Sequence, residues 1–135
     1  MGRPGPFSLV MLPSVQTVRF GAAARQESTK LLVFLRGVID SEAEPAWTAF
    51  LSAIHAEALK AGVRSVVVEF SSVEFIMSVC ISRMLRWLVA VEELGQPQRY
   101  EVVLRGRGKA QERTLMAMHR LAPETSRVVI ADRAA

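Results

Sequence analysis

The sequence predicts an α/β domain whose mixed, mostly parallel sheet of four to five strands has helices packed on it. Three observations point there. Apolar, β-branched runs alternate with stretches of helical spacing along the chain. Glycine and proline punctuate the joins. Strands separated by helices need crossover connections, which favour parallel pairing. With 135 residues, half of them hydrophobic and 22% charged, the chain has material for one core.

The first residues, 1–13, rich in proline and glycine, read as a flexible arm, and 14–135 as the domain. Ser14 to Phe20 alternates well enough for a strand, and "GAAARQES" after it reads as a connection. Lys30 to Ile39 is a nearly continuous apolar run, which suits a strand buried on both faces. The first two strands are neighbours in sequence, so an antiparallel edge pair fits them. Ser41 and Glu44 match a capping box, with Asp40 as the competing cap. Trp47, Phe50, Leu51, Ile54, Ala58 and Leu59 then recur at helical spacing until Gly62 stops the helix.

Arg64 to Phe70 is the next strand, rich in valine. A second helix runs to about Leu94, with Ile81, Met84, Leu85, Leu88, Val89 and Val91 as its apolar set. Arg99 to Gly106 is a strand, Lys109 to Leu121 a third helix with Leu115, Met118 and Leu121 inward, and Ser126 to Ala131 the last strand.

Composition excludes several functions. The single cysteine, Cys80, rules out an internal disulfide and a cysteine-rich zinc site. His55 and His119 fall in separate helices without a second ligand at metal spacing, so no metal and no cofactor is expected. No nucleophile elbow or Ser/His/Asp arrangement appears, so an enzyme is not expected. The N-terminal segment lacks a signal-peptide pattern and no apolar run reaches the ~20 residues of a membrane span, so a cytoplasmic location is expected. The net charge of +4 arises between Arg83 and Arg127, where nine basic residues face five acidic ones. That excess steers an acidic partner, but no nucleic-acid motif accompanies it.

The order of elements and four short pieces resemble the STAS domain, the family of sulfate transporters and anti-sigma-factor antagonists. "LLVFLRGVID" is similar to the family's opening strand, an apolar run ending in Gly-x-x-Asp. "SEAEPAWTAFLSAIHAEALKAG" is similar to its first long helix, and "VRSVVVEFSSVEFI" to the strand and turn that follow. The next helix normally opens Asp-Ser-Ser/Thr-Gly-Leu; here the same place reads Met77-Ser78-Val79-Cys80-Ile81. Carried over position by position, the family's aspartate falls on Met77, its phosphoacceptor on Val79 and its glycine on Cys80. Valine has no hydroxyl, so the usual phosphoryl switch is lost. Only Ser78 keeps a hydroxyl, either as a phosphosite displaced by one residue or as a helix N-cap.

The resemblance implies a protein-interaction domain in a bacterial signalling complex, with a kinase-type anti-sigma factor or other STAS-containing subunits as partners. Met77, Ser78, Val79, Cys80 and Ile81, with Arg83, Arg86 and Trp87 on the following helix, form the expected docking surface. Apolar Met and Val there favour burial over charge. Two other readings stay open. Arg105, Arg107 and Lys109 flank glycines at a strand–helix turn, a composition suited to a nucleotide, phosphate or anionic lipid headgroup, although it is not a P-loop. The wide apolar face of the second helix also suits a self-assembling scaffold subunit, a homo-oligomer.

Overall fold

A computed structural model describes residues 12–131. Most of the arm expected over 1–13 therefore lies outside the described residues. The elements are β1 (Ser14–Gln16), β2 (Phe20–Glu27), β3 (Lys30–Ile39), α1 (Glu44–Ala61), β4 (Ser65–Ile76), α2 (Ser78–Glu92), β5 (Glu101–Arg107), α3 (Gly108–Leu121) and β6 (Ser126–Ala131). They build one six-stranded sheet in the order β1-β2-β3-β4-β5-β6, against the four to five strands expected. The pairs β1–β2 and β2–β3 are antiparallel, and the remaining three pairs are parallel. Strand order follows chain order, so crossovers of one hand lay all three helices on the same face.

The extra strand is the "GAAARQES" segment. Thr17 ends β1 by turning the chain: its N–H donates to the Phe20 carbonyl and its hydroxyl oxygen accepts from the Phe20 N–H. The alanines then pair with β3 over eight residues, closed by a two-residue turn with Ser28 at φ 56°. Backbone pairing, not side-chain bulk, makes this a strand, which its poor β-propensity conceals. Ala22 faces the core, where a larger residue would meet the packed neighbours.

Leu31, Val33, Leu35 and Ile39 of β3, Val66, Val68 and Phe70 of β4, and Val102 and Leu104 of β5 turn inward to one core. Trp47 of α1 is fully buried at its centre, edge-on to Phe20 with ring centroids 6.0 Å apart. Helix α1 ends as expected at Gly62, left-handed at φ 64°. Its start differs: Ser41 provides no cap, and Asp40 Oδ1 accepts from the N–H groups of Glu42 and Ala43 instead. Three residues expected inward, Leu59, Val89 and Leu121, are exposed at the flanks of their helices.

Candidate functional site

The junction between β4 and α2 is shaped by β4 outrunning its neighbour. It pairs with β5 only as far as Glu69, but with β3 as far as Ile76. On the β3 side its register slips twice, between Phe34 and Arg36 and between Gly37 and Val38, so β4 accommodates extra residues as bulges. Past Glu69 the other edge of β4 has no strand partner. The amide of Gln111 on α3 fills that place, donating to the carbonyls of Phe70 at 2.8 Å and Val73 at 3.2 Å. Its oxygen accepts from the Arg107 N–H at 2.7 Å. One side chain thus ties the end of β4 to the start of α3.

Gln111→Ala strands two carbonyls and one N–H. We expect about 1–3 kcal/mol of destabilisation, and faster amide hydrogen exchange over 71–76 than in the rest of the sheet. Exchange rates in that segment equal to those of the unsubstituted chain would refute the tie.

The strand ends where the Met77 N–H donates to the Ile39 carbonyl at 2.8 Å. Met77 itself is the N-cap, extended at φ −75°, ψ 151°, and makes no side-chain cap bond. Ser78 is the first helical residue, so its reading as the N-cap is corrected: the strand runs six residues past the expected end and delivers Met77 to the cap position. Two further bonds fix this turn from below. The indole N–H of Trp47 donates to the Cys80 carbonyl at 2.9 Å, and the Cys80 thiol approaches the Asp40 carbonyl at 3.6 Å.

On this pinned frame the apolar side chains divide. Phe75 is 54% exposed, Met77 36% and Val79 38%, a row of three along the outer lip of the junction. Ser78 is exposed beside them, and Ile81 and Arg83 are half-buried. A cleft of about 320 Å³ opens behind Phe75, between the end of β4 and α3, walled by Val73, Ile76, Thr114 and Leu115. Val79, Arg83, Arg86 and Ala90 recur at helical spacing along α2, the last three on the side that borders α1.

Two residues expected on the docking surface lie inside. Cys80 is fully buried and Trp87 is 6% exposed, because α2 sets them, with Met84, Leu88 and Val91, against the sheet. Burial pushes the Cys80 thiol up, helped by the charges of Glu44 and Asp40, so it is not an activated thiolate. Conversely, Phe75 belongs to the exposed row although sequence reasoning left it in a turn. The signal was faint: its side lies beyond two bulges, which destroy simple alternation.

The basic turn joins β5 to α3. Arg105 faces Glu69 at 3.4 Å on the helix-free side of the sheet, Arg107 ends β5, and Lys109 lies in the first turn of α3. Glu69 also accepts from the Ser71 N–H at 3.3 Å, so this carboxylate steadies the first bulge. Among the described residues, no group of three or more His, Cys, Asp or Glu is placed to hold a metal ion. No helix among them is long and apolar enough to cross a membrane.

No family model and no curated protein sequence matches the chain. Solved structures do. An anti-sigma factor antagonist from Mycobacterium paratuberculosis superposes with a TM-score of 0.61 at 20% identity, over 80% of this chain and 85% of that one. The anti-sigma factor antagonist SpoIIAA in its unphosphorylated form gives 0.51 at 16% identity, over 82% and 89%. An uncharacterised protein from Shewanella loihica with a SpoIIAA-like fold gives 0.55 at 12% identity, over 88% and 92%. The chain therefore has the STAS-like fold of these antagonists.

Proposed function

We propose that this chain is a non-enzymatic, regulatory protein-interaction domain of the anti-sigma-factor-antagonist type. It docks a partner through the lip Phe75–Met77–Val79 and the outer face of α2. The observation that carries this reading is the exposed apolar row, at the place where the antagonists' fold presents the start of its second helix. Val79 at the phosphoacceptor position supports docking without the usual phosphoryl switch. A kinase-type anti-sigma factor is the partner class the resemblance favours.

The physics of such docking is area, not charge. Three partly exposed side chains offer apolar surface worth roughly 25 cal/mol per Å² when covered. Arg86, further along the same helix face, adds a cation at the rim, where charge contributes to encounter rate more than to affinity.

The test is titration of a purified anti-sigma factor of the kinase type against single variants. Phe75→Asp and Met77→Asp are expected to weaken binding by at least about 30-fold, the effect of losing a hot spot. Ser78→Ala is expected to leave affinity unchanged. So is Leu121→Asp, at the far end of α3, where the exposed leucine is remote from the lip. Folded Phe75→Asp and Met77→Asp variants with unaltered affinity would overturn the proposal.

A further inference from the structure

A second cavity, separate from the lip, lies in the groove between α1 and α2 and has a volume of about 210 Å³. Leu51, Trp87 and Ala90 give it apolar walls, and Ser52, His55 and Arg86 are the polar groups at its edge. We propose that this groove binds a small organic monoanion, a carboxylate carried on an apolar stem.

The polar groups beneath the groove form a hydrogen-bonded chain. The Trp87 indole N–H donates to the Tyr100 hydroxyl oxygen at 2.9 Å. That hydroxyl lies 2.6 Å from His55 Nδ1. With the Trp87 N–H on one lone pair of Tyr100, the phenol proton is available to Nδ1 in the His55 tautomer protonated on Nε2. Burial lowers the proton affinity of His55 and holds the Tyr100 phenol protonated, which preserves this arrangement at neutral pH. With its N–H committed to Tyr100, the Trp87 indole meets the groove as an apolar surface.

Charge decides what enters. The ionised side chains lining the groove are the arginines 83 and 86, and no carboxylate lines it. Arg83 is occupied: its Nε lies 2.9 Å from Glu44 Oε2. The Thr48 hydroxyl also donates to Glu44, and these two contacts keep that carboxyl below its usual range. Arg86 has no ion-pair partner among the described residues. One unmatched guanidinium suits a monoanion, and its planar fork matches a carboxylate in bidentate fashion. A dianion would need the second arginine that Glu44 holds. Size sets the stem: an apolar cavity of about 150 Å³ accommodates benzene, so this groove has room for an aryl or short alkyl acid.

The chain contains two tryptophans, which give the experiment its own control. In ¹H–¹⁵N spectra of the full chain, benzoate is expected to shift the indole N–H peak of Trp87 saturably. The peak of Trp47, fully buried in the core, stays in place. Hexanoate behaves as benzoate does. Benzyl alcohol, which keeps the ring and lacks the charge, is expected to bind at least about tenfold more weakly. Arg86→Met weakens benzoate to the same degree, and Ala90→Leu, which fills the groove while keeping a helix-former, abolishes the shift. The proposal is overturned by any of three results: no saturable shift of Trp87 at millimolar benzoate, equal binding of benzyl alcohol, or undiminished benzoate affinity in folded Arg86→Met. Phe75→Asp is expected to leave benzoate binding intact, so failure here and failure of the docking lip are separate outcomes.

Discussion

Trp47→Ala is expected to destabilise the fold by about 3–5 kcal/mol, the range for removing a fully buried large aromatic. Three losses contribute. The ring is completely enclosed and fills the centre of the core. Its edge-on contact with Phe20 disappears. The indole N–H no longer reaches the Cys80 carbonyl, so α1 loses its direct bond to the first turn of α2. Trp47→Phe separates these terms: it keeps most of the packing but forfeits the hydrogen bond, worth about 1 kcal/mol net. Urea unfolding midpoints of the two variants measure both quantities. A midpoint for Trp47→Ala within error of the original would remove Trp47 from its place as the link between core and junction.

Gly37→Ala is the second large effect, and its origin is backbone, not packing. Gly37 has φ +89°, a region that side chains disfavour. A Cβ built there would lie 1.9 Å from the Arg19 carbonyl oxygen. That oxygen accepts the Val38 N–H at 2.8 Å, so it cannot withdraw without breaking a bond between the strand entry and β3. Strain and clash together are expected to cost at least about 3 kcal/mol. Gly62→Ala is the comparison: it too has positive φ, 64°, but no atom lies within 4 Å of the added carbon. It should lose only about 1 kcal/mol. Equal unfolding midpoints for the two variants would show that the clash at Gly37 relaxes freely.

Reading the sequence succeeded where pattern and punctuation agree. The run from Lys30 to Ile39 is a strand paired on both edges, but only one of its faces is buried, because all three helices lie on the same side of the sheet and Phe34 and Arg36 face away from them. Trp47, Phe50, Leu51, Ile54 and Ala58 keep helical spacing up to a glycine, and all five are buried. The second strand failed for the opposite reason. Gly21, Ala22 and Ala23 have no bulk to advertise a sheet, and the eight-residue pairing with β3 that makes them a strand is a partner's contribution, not a local one.

Of the lip proposed for docking, the sequence singles out Met77 and Val79, which stand where the resembled family has polar residues. Phe75 was hidden because the expected strand stops at Phe70, whereas two bulges let β4 continue to Ile76. Cys80 and Trp87 were misplaced for a rotational reason. Apolar residues cover more of α2 than one face, and the sequence alone does not say which part of that arc meets the sheet.

The pinning of the junction has a consequence for speed. Met77 is held by Ile39, and Cys80 by Trp47. On the docking proposed above, a partner would meet this segment already folded, with no coil to order on arrival. Association then depends on diffusion and orientation alone, and the entropy that a loose segment forfeits on capture is absent from the binding free energy. Under that proposal, with arrival set by collision geometry, substitutions in the apolar lip act on departure.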